Sequence, residues 1–322
     1  MRIHHAKNKL RKNAQVNCML VLSIVCSLAF TKANAQTMLN TLKIDEVKDL
    51  RSFFTYTPDR IPLLCGHRGG ATTGFPENCI ATFENTLRKI PAFFEVDPRL
   101  TKDSVVIIMH DPTLDRTTNG KGKISDYTWD ELKDLKLKDT DGNVTQYNIP
   151  LLDEVLQWAK GKTILMLDKK DVPLQIILNK IVAHNAESYV LVSTYEPEEA
   201  AFYFRHNRNI MFEAFILNES RIQEYENAGI PWKNIVAYVS KSKEKSLYDA
   251  LHKRKVMCIY YTSPVLEKIK DKAERINAYR NVIKQGGDIL LSDRIFEVAD
   301  AIQSLMPQKS SKQHFFIKKT FE

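Results

Sequence analysis

Between residues 67 and 111 the chain gathers an unusual density of reactive side chains. His67-Arg68-Gly69-Gly70 comes first, then Pro76-Glu77-Asn78, Glu95-Val96-Asp97 and His110-Asp111. Two histidines, an arginine and two carboxylates two residues apart are the parts needed to hold a hard cation and cut a phosphate ester. Glu95 and Asp97 follow Phe93-Phe94 in an apolar, extended-looking run. Side chains two apart on a strand point to the same face. Two carboxylates aimed at one spot repel unless a cation lies between them. All-oxygen donors suit Mg²⁺ or Ca²⁺.

Something must position these groups. Short apolar runs at 61–65, 93–100, 105–109, 163–167, 189–193, 210–215, 235–239, 256–261 and 288–291 read as strands. Most lack alternating polarity, as strands covered on both faces do. Helical patterns lie between them at 77–89, 151–160, 172–185, 197–206, 219–227, 243–254 and 265–285. Alternation this regular predicts an α/β fold, a (β/α)₈ TIM barrel rather than an open sheet. His67, Asp168 and Asp293 then fall at carboxyl ends of strands, where barrel active sites lie. Lys170, two residues beyond Asp168, is a second cation for a phosphate.

Nine runs exceed eight strands. Only Thr101–Ser104 separates the second run from the third, so no crossover helix fits and an antiparallel hairpin is expected. With Leu100 facing Val105, Glu95 would face His110. The segment after it, about 116–148, reads as a small polar insertion with a helical piece at 129–137, placed to cap the barrel mouth. The tail from Gln308 reads as surface.

The first 35 residues carry a basic start, an apolar run at 18–30 and Ala33-Asn34-Ala35. This is a secretory signal pattern, with the mature domain at 36–322, exported to the periplasm or beyond. The chain has 47 Lys+Arg against 39 Asp+Glu, and six of those basic residues precede Gln36. The remainder, 41 against 39, gives no electrostatic case for nucleic acid. Cys65, Cys79 and Cys258 do not make a disulfide framework. No apolar run beyond the signal is long enough to span a membrane.

Taken together, the motifs resemble the glycerophosphodiester phosphodiesterase family. The resemblance rests on His-Arg-Gly-Gly at 67–70, Pro-Glu-Asn at 76–78, Glu-x-Asp at 95–97, Thr-Lys-Asp at 101–103, His-Asp at 110–111 and Arg-Thr-Thr-Asn-Gly at 116–120. It implies a (β/α)₈ barrel, a divalent metal, and hydrolysis of a small-molecule glycerophosphodiester to glycerol 3-phosphate and an alcohol. By the same resemblance Glu95, Asp97 and Asp168 are metal ligands, His67 and His110 the acid/base pair, and Arg68 a phosphate contact. Asn78, Tyr261 and Asp293 are candidate pocket residues. Asp168 stands where the family usually has Glu, one methylene longer. Cys65, Cys79, Trp158, Tyr195 and Tyr261 read first as packing residues. Two alternatives stay open: a phospholipase-type enzyme of this fold cleaving phosphatidylinositol or sphingomyelin, and a non-catalytic periplasmic binding protein. The first would want an aromatic rim at the mouth.

Overall fold

The computed structural model describes residues 37–240, 242 and 244–321. The signal-peptide reading therefore lies outside the described residues. Contacts gather Met38–Phe321 into one compact unit.

Eight parallel strands close a barrel: β1 (Leu63–Gly66), β2 (Phe93–Val96), β3 (Leu165–Leu167), β4 (Val190–Thr194), β5 (Met211–Phe215), β6 (Ile235–Tyr238), β7 (Cys258–Tyr261) and β8 (Ile289–Ser292). Each pairs with its sequence neighbour, and β8 returns to β1 through Ile289↔Leu63 to Ser292↔Gly66. The (β/α)₈ expectation holds. Seven of the following helices match the expected patterns, from Ile80–Lys89 to Lys272–Gln285. The eighth, Ile295–Ile302, was not foreseen.

Strand residues sort by period two. Leu64, Phe94, Leu165, Val190, Phe212 and Leu290 join the core under the helices. Leu63, Cys65, Phe93, Met166, Leu191, Met211, Val236 and Ile259 fill the barrel interior. That interior continues below the barrel into Leu50, Phe53 and Phe54 of the helix Val47–Phe54, and into Phe315. Phe54 lies edge-on to Phe93 at 5.5 Å, and Phe53 edge-on to Phe315 at 5.4 Å. These rings plug the amino-terminal end.

Two expectations need correction. The tail is not simply surface: Phe316–Phe321 forms a strand beside Thr37–Leu42, and Phe315 is buried. Lys318 and Lys319 are exposed while Phe315 anchors the segment, and composition alone does not show which residue is buried. The hairpin exists, but the run 93–100 is two strands. β2 ends at Val96, and Pro98–Leu100 pairs antiparallel with Val106–Ile108 outside the barrel. Its register is Leu100↔Val106, one residue from the expected pairing, so His110 is not set opposite Glu95. Pro98 lacks an N–H and cannot continue the barrel ladder, which explains the break.

The insertion is less polar than its composition suggests. It holds the helix Trp129–Leu132 and the paired strands Lys136–Lys138 and Val144–Asn148. Leu114, Ile124, Leu132 and Leu137 pack with Ile107, Met109 and Ile149 in a small core of their own.

The plug gives a stability prediction. Phe54→Ala should cost about 3–5 kcal/mol, as buried phenylalanines do, read as a lower urea midpoint. A loss under about 1 kcal/mol would show that the lower end of the barrel does not depend on this ring.

Candidate active site

Every candidate site residue reaches the carboxyl end of the barrel. Met166 pairs with Glu95 and Leu167 with Val96 across β2 and β3, so Asp97 and Asp168 continue as neighbours one step further on. Oxygens of Glu95, Asp97 and Asp168 all lie within 4.8 Å of one another. Glu95 and Asp97 are buried.

Three like charges in one buried place need compensation. Glu95 Oε2 accepts the Arg68 backbone N–H at 2.9 Å. Asn78 Nδ2 donates to Asp97 Oδ2 at 2.6 Å, and the Asp97 N–H donates back to Asn78 Oδ1 at 3.2 Å. Asn78, expected in the pocket, fixes a carboxylate of the site. Lys170 Nζ stands 3.0 Å from Asp97 Oδ1 and pairs with Asp168. Asp97 Oδ1 still accepts no aligned hydrogen bond, a buried oxygen with an open lone pair. Burial, with the charges of Asp97 and Asp168 behind it, drives the Glu95 carboxyl well above the usual carboxylate range. Burial pushes Asp97 the same way, but Lys170, Asn78, His110 and Arg68 outweigh it and hold Asp97 below its ordinary value. An open acceptor on a crowded, all-oxygen donor set fits a hard divalent cation.

The two histidines are each oriented by a carboxylate. His67 Nδ1 lies 2.5 Å from Asp293 Oδ1, and its Nε2 faces Glu95 Oε2 at 3.9 Å. A carboxylate can only accept, so Nδ1 carries the hydrogen and Nε2 is free for a proton. Tyr261 tilts against the ring at 4.8 Å, its hydroxyl 3.3 Å from Nδ1. His110 Nδ1 lies 2.7 Å from Asp111 Oδ1, and the carbonyl of His110 accepts from Arg99. Arg116 then forks onto both Asp111 and Glu77, at 2.7–2.9 Å. Hydrogen bonds from Arg116 hold the Asp111 carboxyl far below its usual range. The insertion is thus tied beside His110 through Arg116, and beside the first loop through Thr73–Asp141 and Gly74–Asp139.

Arg68 sits in the left-handed region, φ 52°, with Nη1 3.2 Å from Glu77 and a buried Nε that makes no hydrogen bond but lies 3.9 Å from Asp97 Oδ2. Gly69 and Gly70 make this turn possible. Both have positive φ, and a Cβ on either would come within 2.6 Å of Phe83 or Ile295.

Sequence reasoning missed part of the site. Tyr195, read as packing, donates its hydroxyl to Asp168 Oδ1 at 2.8 Å. Tyr195 and Phe215 stand 4.3 Å apart, Phe215 stacks on Tyr238 at 4.2 Å, and exposed Leu217 and Val265 follow β5 and β7. The mouth therefore has an aromatic side as well as a charged one. Glu213 on β5 is a further carboxylate of the barrel interior, buried and held by the Ser193 hydroxyl. A single acid inside the apolar run Met211–Phe215 was the available clue. Cys65, Cys79 and Trp158 are packing residues: both thiols are buried, and Trp158 lies against Phe83 and Phe94.

The model of the "Glycerophosphoryl diester phosphodiesterase family" matches residues 67–277, well over half of the chain. The chain belongs to this family. The resemblance read from the motifs is borne out, and the family's barrel is the one observed. A family structure from Parabacteroides distasonis is 51% identical, with a TM-score of 0.85, and covers 87% of this chain and 100% of its own. A phosphodiesterase from Oleispira antarctica, solved in complex with the product sn-glycerol-3-phosphate, shares the fold at 19% identity, TM-score 0.59, over 76% of this chain and 97% of its own. The glycerophosphodiester phosphodiesterase of Bacillus altitudinis is 39% identical over 32% of this chain and 42% of its own length. The chain spans about half the length of the curated relatives it matches first.

The buried carboxyls set a pH dependence. Burial, foremost, pushes Glu213 up to about 8 from 4.5, and Glu95 moves in the same direction. Between those values the metal-free folded protein holds protons that the unfolded chain has released, so its stability falls as pH rises. The melting temperature of chelator-treated protein should therefore decline from about pH 5 to about pH 8. Glu213→Gln should flatten the decline, and parallel curves for the two proteins would contradict it.

Proposed function

We propose that this chain is an exported, metal-dependent phosphodiesterase that hydrolyses glycerophosphodiesters to glycerol 3-phosphate and an alcohol. One observation carries the reading: three carboxylates, two carboxylate-oriented histidines and two cations converge on one barrel mouth. Glu95, Asp97 and Asp168 would hold Mg²⁺ or Ca²⁺. The ion would supply charge neutralisation for the phosphodiester anion.

The chain's own groups supply the rest. Arg68 offers a planar fork to two phosphate oxygens once it leaves Glu77, and Lys170 adds a second positive charge. His67, its Nδ1 hydrogen held by Asp293, presents Nε2 to take a proton from the attacking hydroxyl. His110, held by Asp111, is placed to return one to the leaving alkoxide. The aromatic side of the mouth would pack against the organic part of the substrate and exclude water.

That aromatic side favours a second reading within the same chemistry. Tyr195, Phe215 and Tyr238 beside exposed Leu217 and Val265 would suit a lipid-bearing phosphodiester, as the phospholipase-type alternative requires. Glycerophosphocholine and glycerophosphoinositol, each compared with its monoacyl form, separate the two readings.

The test is release of glycerol 3-phosphate, or of acyl-glycerol 3-phosphate from the monoacyl substrates, by purified protein, stripped of metal and resupplied with Mg²⁺ or Ca²⁺. Metal-restored turnover is expected. His67→Ala and His110→Ala should each lower kcat about 10²–10⁴-fold, as loss of a general acid or base does. Turnover of monoacyl substrates alone would select the lipid reading. No turnover of either kind, with either ion, would overturn both.

A further inference from the structure

Glu213 has no part in the reaction just described, yet the barrel places it in line with the carboxylate cluster. Leu167 pairs with Val192, and Ser193 with Glu213. The next step of that register sets Asp168 beside Ser193, so Asp97, Asp168, Ser193 and Glu213 form one inward-facing row across β2–β5. Strands lie about 4.8 Å apart, which puts the Asp168 and Glu213 backbones within about 10 Å. The side chains feel one another. Behind burial and the Ser193 hydrogen bond, the charge of Asp168 raises Glu213 and that of Lys170 lowers it. On Tyr238, pushed up to about 12 by burial first, the charges of Glu213, Asp168 and Glu95 act together. Glu213 is 2% exposed, and the row Tyr195, Phe215, Tyr238 lies two residues above it on the same face.

Asp168, by contrast, is short and already engaged. Its Oδ1 accepts from Tyr195 at 2.8 Å and its Oδ2 pairs with Lys170. A cation drawn to the open Asp97 Oδ1 therefore meets a cluster whose third member already carries a hydroxyl and an ammonium. We propose that Glu213 is a further carboxylate of the metal site, reaching the ion directly or through one water and making up for the short Asp168. This rests on the metal-dependent reading above. Ser193, donating to one Glu213 oxygen, acts as its positioning residue.

The experiment is calorimetric titration of metal-free full-length protein with Mg²⁺ and with Ca²⁺. Unsubstituted protein, Glu213→Gln, Asp168→Glu and the double variant are compared, with melting temperature recorded before metal is added. Gln keeps the shape and the Ser193 hydrogen bond, so metal-free Glu213→Gln should melt no lower than the unsubstituted protein. It should bind the ions 10–100-fold more weakly, the usual range for a group supporting a metal site. Asp168→Glu should recover most of that affinity in the Glu213→Gln background and gain little alone. Unchanged affinity in Glu213→Gln, or equal gains from Asp168→Glu in both backgrounds, would overturn the proposal. So would failure of the unsubstituted protein to bind either ion, which also removes the metal-dependent reading. Metal-restored hydrolysis with unaltered affinity in Glu213→Gln would remove this inference alone.

Discussion

Charge crowding at one end of a barrel is the constraint on which the rest of this structure depends. Glu95, Asp97 and Asp168 converge from two neighbouring strands within a few ångströms, and two of them are buried. Left alone they would force the mouth open or take up protons. The surrounding architecture answers that repulsion. Arg68 gives its backbone N–H, Asn78 its amide, Lys170 its ammonium and Tyr195 its hydroxyl. The left-handed turn at Arg68, with Gly69 and Gly70 behind it, exists where the chain must pass close over these oxygens. Even so, Asp97 keeps an open acceptor and Glu95 is driven toward its neutral form. The protein alone does not complete the neutralisation, and a divalent cation is the group whose charge would.

Around this centre the mouth divides. On the side of β1, β2 and the insertion the contacts are ionic, with Arg116 spanning Glu77 and Asp111 and thereby steadying His110. On the side of β4, β5 and β6 they are aromatic. A phosphodiester has the same two characters, an anionic centre between organic groups. Barrel folds permit this because each loop at the carboxyl end varies independently of the strands below. The apolar plug of Phe53, Phe54 and Phe315 closes the opposite end and leaves the polar chemistry to one mouth.

The parts of the site legible in the sequence are those that obey a period. Glu95 and Asp97, or Asp168 and Lys170, sit two apart near strand ends, and strand geometry alone puts each pair on one face. The barrel was legible because apolar strands and amphipathic helices alternate along the chain. His110 was misplaced by one register step because Pro98 ends the barrel strand, and the hairpin beyond it obeys a different pairing. Tyr195, Phe215, Tyr238 and Glu213 stayed hidden for another reason. They lie in or just beyond runs that are apolar on both faces, where the one acid, Glu213, is the sole local mark of a face. Closure of the barrel, which sets Glu213 opposite Ser193 and Phe215 opposite Tyr238, supplies the rest. The anchoring of the tail escaped notice because most of its residues are exposed while one ring, Phe315, is buried.

The most direct test is an anomalous difference map from crystals of this protein grown with Mn²⁺ as a stand-in for the hard cation. The account predicts one strong peak within ligand distance of Glu95, Asp97 and Asp168, with Lys170 turned away from Asp97. Fully occupied metal elsewhere and none among these carboxylates would contradict it.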